Sequence, residues 1–360
     1  MLEKYERYMS DVESGAVTTC LYIKQAVERQ RKDLARQNTD GFKFYFDEAA
    51  AEKALKLFSL LRHTKGEWET KKRKFDLQDF QAFEIACVFG WKKQDSGYRR
   101  FTRVYSETAR KSGKTEKCAG IQIIGAVEGE GGAEVYSAAT TRDQASIVFQ
   151  ATKHMAKCLK EEGYKWAADF KILAHEIQKG TAVIKALSAE AKTLDGKNPH
   201  FVIIDEFHAH PNREVLDVME TGMGARSQPL LYIITTAGFN IDSPCYRLRE
   251  TATQILSGAK TDESFFSVIY TLDEGDDWED ESAWIKANPN IGNTPKWDWM
   301  REQATKAKNE GFAKRVEFLT KNLNLWQNAK ETWIADEIYQ TCADADLWAA
   351  WYDVLKKAAA

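Results

Sequence analysis

Two apolar runs constrain this chain more than any other feature. Phe201-Val202-Ile203-Ile204 and Leu230-Leu231-Tyr232-Ile233-Ile234 are nearly continuous in hydrophobic side chains. Runs this short and this apolar read as strands covered on both faces, the situation of central strands in a parallel sheet with helices above and below. Further β-prone stretches at 101–106, 134–139 and 181–187 alternate with helix-compatible segments such as 141–161 and 212–222. The alternation predicts βαβ units and an α/β fold with a mainly parallel sheet flanked by helices.

The flanks have a different texture. Residues 1–74 carry Ala50, Ala54, Leu55, Phe58 and Leu61 at helical spacing, which predicts a helical N-terminal region before a core at 75–260. Residues 261–360 hold Trp278, Trp284, Trp297, Trp299 and Trp326 and one amphipathic helix over 305–322, so they read as a helical lid or linker. The basic run at 71–74 and the acidic run from Asp273 to Glu281 read as solvated charge.

Composition excludes several classes. With 43% hydrophobic and 29% charged residues over 360 positions, the chain has the makeup of a folded globular protein. No apolar run approaches the roughly 20 residues of a membrane helix, and the charged start Met-Leu-Glu-Lys-Tyr-Glu-Arg lacks the apolar core of an export signal. A cytoplasmic location with no membrane partner is expected. The cysteines (Cys20, Cys87, Cys118, Cys158, Cys245, Cys342) are scattered, without the paired spacing of a zinc ribbon or disulfide framework. A net charge of −3 gives no global case for nucleic acid.

The chemistry is concentrated in two motifs. Thr108-Ala109-Arg110-Lys111-Ser112-Gly113-Lys114-Thr115 follows a strand and precedes a helix, the order of a phosphate-binding loop. Gly113 lets the backbone approach phosphate, Lys114 reaches the β and γ phosphates of ATP, and the Thr115 hydroxyl is placed to ligate Mg²⁺. The helix that starts there turns its amides toward the anion. Thr108 occupies the position where this loop ordinarily has its first glycine. The second motif is the apolar run ending in Asp205-Glu206. Two acids at the end of a buried strand are costly unless a cation offsets them; Asp205 is the expected Mg²⁺ ligand and Glu206 the base for the attacking water. A zinc site built on Asp205, Glu206, His208 and His210 is the rival use, but it lacks the i, i+4 histidine spacing of a helical site, so the histidines read as loop residues packed nearby.

These residues resemble the large terminase subunit of tailed phages of the lambdoid and related long-tailed type, the ATPase that packages double-stranded DNA. The resemblance rests on the basic residues before Gly113-Lys114-Thr115, on Ile204-Asp205-Glu206, and on Thr235-Thr236-Ala237-Gly238 after another apolar strand; it spans about residues 75 to 330. It implies an ASCE/RecA-like P-loop NTPase fold with a C-terminal lid. It further implies that Gln81, with Gln78 as the alternative, presents the adenine contact, that Thr235 and Thr236 sense the γ-phosphate, and that Arg110 stabilises transition-state charge in cis. Asp205, Thr108, Arg110, Lys111 and Ser112 join Gly113, Lys114 and Thr115 in the nucleotide site. Partners implied are duplex DNA, the portal, the small terminase subunit and a ring of like subunits, a pentamer, working in the host cytoplasm at the procapsid. Arg213, Arg226 and Lys197 are possible edge residues for a neighbour's site, with nothing to select among them. The family's C-terminal nuclease domain is not expected here, because the text after Trp326 reads as helix; the chain is expected to be the motor portion of a longer protein. The alternatives are another P-loop NTPase such as a helicase, or a nucleotide-binding docking subunit without turnover.

Overall fold

The computed structural model describes residues 1–187 and 194–328. Within them lies an eight-stranded sheet of β3 (Arg103–Glu107), β4 (Glu134–Ala138), β5 (Phe170–Ile172), β6 (Ile177–Lys179), β7 (Ala182–Ala186), β8 (Pro199–Ile204), β9 (Leu230–Thr235) and β10 (Phe265–Ile269). Its order is β10-β3-β9-β8-β4-β7-β6-β5, with parallel pairing from β10 through β7 and antiparallel pairing of β7, β6 and β5. Every residue of β8 and β9 is buried, as their unbroken apolar runs require. Outside this sheet, β1 (Phe44–Phe46) and β2 (Trp91–Lys93) form an antiparallel pair.

The order explains how distant motifs meet. In register, Glu107 at the end of β3 lies beside Thr235 at the end of β9, and Ile204 at the end of β8 lies beside Ile233. One strand therefore separates the phosphate loop from the Asp-Glu pair, and that strand ends in the two threonines. All three motifs leave the sheet at the carboxyl edge of adjacent parallel strands, where α/β proteins place their ligands.

The helices are α1 (Leu2–Ser14), α2 (Leu21–Arg36), α3 (Glu48–Leu60), α4 (Gly66–Thr70), α5 (Asp79–Gly90), α6 (Lys114–Val127), α7 (Arg142–Glu161), α8 (Glu214–Gly222), α9 (Pro244–Leu256), α10 (Glu281–Ala287), α11 (Trp297–Asn309) and α12 (Phe312–Asn322). Tyr5, Met9, Ile23, Val27 and Phe58 of the N-terminal helices join one continuous core with the strands. Helix α5 is buried from Phe80 to Gly90, too apolar all round to show an amphipathic stripe. Beneath the phosphate loop runs a buried polar network: Lys117 of α6 pairs with Glu84 of α5 and donates to Ser106 Oγ at 3.2 Å, while the Tyr232 hydroxyl donates to Glu84.

The C-terminal part departs from the sequence reading in two ways. The segment after 260 first adds β10 to the edge of the main sheet, so it is not helical throughout. The single helix expected over 305–322 is two: Gly311, at φ 90°, breaks it, and α11 and α12 pack against each other. A glycine at positive φ with extended ψ stops a helix even where the apolar spacing continues through it. Leu272, Trp284, Ala287, Met300, Ala304, Phe318 and Leu323 form a second, smaller core, with Trp284 edge-on to Phe318 at 5.8 Å. Among the described residues no helix is long and apolar enough to cross a membrane. The helical text read at 337–355 falls outside the described residues.

Candidate nucleotide-hydrolysis site

The loop from Thr108 to Gly113 is held at both ends and in its middle. Thr108 N donates to Thr235 O at 3.1 Å, and the Thr108 and Ser112 hydroxyls bond at 2.7 Å. Thr108, in place of a glycine, thus ties the loop across itself. Gly113 caps α6 at φ 80°, and a Cβ there would stand 3.2 Å from Gln81 Nε2, so both backbone and space ask for glycine. Lys111 is also left-handed, at φ 70°. Arg110 and Lys111 are exposed on the loop's outer turn; Arg110 N donates to Lys321 O at 2.9 Å and Thr294 Oγ1 donates to Lys111 O at 2.9 Å, which joins the loop to the C-terminal helical unit.

Lys114, half-buried at the start of α6, folds its ammonium onto Thr108 O at 2.6 Å and Ala109 O at 3.1 Å. Burial lowers it to about 8, against the upward pull of Glu206 and Asp205. A buried cation curled on loop carbonyls is ready to exchange them for phosphate oxygens. Thr115 follows in the first turn, partly exposed.

The two acids behave differently. Asp205 N donates to Ala138 O at 2.8 Å, which seats the residue in the sheet. Burial, and then the neighbouring Glu206, raise the Asp205 carboxyl to about 6. Burial also pushes Glu206 upward, but the hydrogen bond from His208 and the charge of Lys114 outweigh it and hold Glu206 at about 2. Glu206 is therefore ionised at neutral pH, as a base for water must be. A carboxyl raised by burial beside another acid gains most from a cation, so Asp205 with the Thr115 hydroxyl offers the hard oxygen donors that suit Mg²⁺.

Thr235 and Thr236 are buried beside this pair, with Thr236 Oγ1 donating to Glu206 Oε2 at 3.4 Å. Gln81 sits in the first turn of α5, its Oε1 accepting from Gln78 N at 3.1 Å while Nε2 faces Gly113; Gln78 Oε1 instead accepts from Asn293 at 3.3 Å. Arg213 pairs with Asp217 on α8, Lys197 lies over the Tyr136 ring, and Arg226 donates to the carbonyls of Asn198, Gly131 and Gly132 at the amino edge of the sheet, opposite the site in its own chain.

An open cavity of about 620 Å³ joins Lys114, Thr115 and Glu206 to residues the sequence reading passed over: His63, Thr64, Lys65, Trp68, Asn293, Thr294 and Lys296. His63 and Thr64 are fixed there by Glu116 of α6, at 2.7 Å from His63 Nδ1 and 2.8 Å from Thr64 N. No local pattern marks residues 63–68, since only the fold brings them over the loop. Asn324 is fully buried and bonds Ala237, Glu107 and Tyr270.

The family model described as "Terminase large subunit, ATPase domain" matches residues 79–254, which contain the three motifs above, and "Terminase large subunit, endonuclease domain" matches 259–347, which corrects the expectation that nothing of the nuclease domain lies in this chain. The crystal structure of the HK97 bacteriophage large terminase has the same fold, with a TM-score of 0.64 at 25% identity over 77% of this chain and 55% of that one. The chain belongs to the phage large terminases. Protein YmfN of Escherichia coli (strain K12) is 37% identical to this terminase over 204 residues, covering 54% of this chain and 44% of its own length. The large terminase subunit of Enterobacteria phage HK97 is 28% identical over 250 residues, covering 66% and 46%. The terminase chain thus spans less than half the length of either relative.

The stretch of this terminase matched by the endonuclease family begins, in its described part, with β10 of the ATPase sheet and continues through α10, α11 and α12. Its acidic run is spent locally. Asp273 and Asp276 bind Lys286, Glu279 pairs with Lys308, Asp280 caps α10 and Glu281 pairs with Arg301.

Proposed function

We propose that this chain is the ATP-hydrolysing motor of a DNA-packaging terminase. The observation that carries the reading is the meeting of three strand ends: the phosphate loop after β3, Thr235-Thr236 after β9 and Asp205-Glu206 after β8, on one sheet edge beside one cavity.

The roles follow from position. Lys114 and the amides at the start of α6 hold the β and γ phosphates, and Arg110 offsets charge on the transferring phosphoryl group. Thr115 and Asp205 hold Mg²⁺, which when bound neutralises phosphate charge. Glu206 takes a proton from the attacking water, while the Thr235 and Thr236 hydroxyls register the γ-phosphate. Gln81, through Nε2, is the adenine-side contact. The second core around Trp284 and Phe318 supports a lid unit that begins after β10, on a motor core that keeps this strand, behind a helical N-terminal region of 1–74. Membership in the family supports duplex DNA, the portal, the small terminase subunit and a ring of like subunits as partners, a pentamer acting in the host cytoplasm on the procapsid portal.

The test is steady-state ATP hydrolysis by the purified chain, with and without duplex DNA, beside Lys114→Met. The expected result is hydrolysis stimulated by duplex, no unwinding of a forked duplex, and loss of turnover in the variant. Hydrolysis by Lys114→Met at the wild-type rate would overturn the assignment.

A further inference from the structure

His208 has more to do than pack beside the site. It lies on the short turn Phe207–Ala209 after β8, and its ring stands between the acid of one strand and the hydroxyls of the next. Nδ1 is 3.1 Å from Glu206 Oε2, 3.1 Å from Thr235 Oγ1 and 3.4 Å from Thr236 Oγ1. The His208 backbone N–H also donates to Thr235 Oγ1, at 3.0 Å.

The proton inventory fixes the direction of these bonds. Thr235 donates its one hydroxyl proton to Thr236 O at 2.9 Å, so its oxygen can only accept from the ring. Glu206, ionised, can only accept as well. Nδ1 must then carry the proton, which it gives to Thr235 Oγ1 while standing within ion-pair distance of Glu206 Oε2, so that one ring touches both the base and the threonine pair. The backbone supports the same orientation: Glu206 is left-handed at φ 51°, ψ 48°, a conformation that persists in a non-glycine residue only where surroundings impose it.

We propose that His208 is a positioning residue that sets the carboxylate of Glu206 according to what Thr235 and Thr236 bind. The proposal rests on the reading of Glu206 as the base and of the threonines as γ-phosphate contacts. With no phosphate present, the Nδ1 proton goes to Thr235 Oγ1 and Glu206 Oε2 is held by Thr236. When the threonine hydroxyls turn to a γ-phosphate oxygen, the Nδ1 proton turns to the neighbouring Glu206 Oε2 and leaves Oε1 directed to water. Loss of phosphate returns the proton to Thr235. The strand end that senses nucleotide and the strand end that carries the base are thereby coupled through one ring.

Three substitutions separate this from simple packing. In His208→Asn the amide nitrogen takes the place of Nδ1; in His208→Gln it takes that of Nε2; His208→Ala removes both. On the full chain, kcat and KM for ATP, the affinity for a fluorescent ADP analogue and the melting temperature are measured for each. The expected result is a fall in kcat of roughly tenfold or more for Ala and Gln, with KM and ADP affinity within about twofold, and recovery of most of kcat in Asn. Wild-type kcat in His208→Ala overturns the proposal, as does an equal loss in all three variants that tracks their melting temperatures. An inactive wild-type chain would instead overturn the functional reading itself, and this proposal with it.

Discussion

Asn324 Oδ1 accepts the backbone N–H of Ala237 at 2.7 Å, so the loop that follows the threonine pair is pinned by a residue from the far end of the described chain. The same side chain donates to Tyr270 O at 2.7 Å and to Glu107 Oε1 at 3.2 Å, and Glu107 also receives Trp326 Nε1 and Arg249 Nε. The end of the phosphate-loop strand, the sensor loop and the edge strand β10 are thus fastened by one amide.

Asn324 is left-handed, at φ 56°, a conformation asparagine tolerates better than most residues. Asn324→Gly keeps the backbone and removes the bonds, leaving the buried Ala237 N–H unpaired; it should cost about 2 kcal/mol. Asn324→Leu adds backbone strain and should cost more. Denaturant unfolding of the two variants checks the order, and a leucine variant as stable as the glycine variant would remove the strain argument.

Asp205 supplies a pH dependence with a definite sign. Its folded carboxyl titrates at about 6 against 3.8 for a freely solvated aspartate, so the folded state binds its proton more tightly and loses stability as pH rises through that window. Asp205→Asn removes this loss. Without nucleotide or metal, the variant should match wild type near pH 4 and gain on it up to pH 6, by at most about 3 kcal/mol. Glu206 does not obscure the comparison, because its depressed value places its own change between about 2 and 4.5. Chemical denaturation at pH 4, 5, 6 and 7 gives the curve, and a difference independent of pH would contradict it.

The pair of Glu84 and Lys117 is almost wholly buried, at 0% and 3% exposure of the side chains. Lys117→Met leaves Glu84 charged in the core with only Tyr232 for company and should cost roughly 3–5 kcal/mol. Adding Glu84→Gln, which keeps an acceptor for Tyr232, should recover most of that. A double-mutant cycle by urea unfolding measures the coupling, which is expected to exceed 1 kcal/mol, about the range seen for contacting residues.

What could be read from the sequence was what short-range chemistry determines. The runs of β8 and β9, the glycine that caps α6 and the acids at the end of β8 are each fixed by neighbours in the chain. Strand β10 was hidden because Phe265–Ile269 is short and lies in a segment whose tryptophans and helical spacing dominate its texture. Gly311 was overlooked because the apolar spacing runs on across it. His208 shows the limit most clearly. Its identity was visible two residues after Glu206, but its partner Thr235 reaches it only because β9 pairs with β8. Trp68 and Asn293 come to the cavity from opposite ends of the chain, where no pattern search would join them.

Glu206→Gln tests the central assignment most directly. The substitution preserves size and one acceptor oxygen, and removes the charge and with it the capacity to take a proton. ATP binding and DNA-stimulated turnover are measured on the same preparation. The expected result is ATP affinity within about threefold of wild type and turnover reduced roughly a hundredfold or more. Turnover at the wild-type rate, with ATP still bound, would show that Glu206 is not the base.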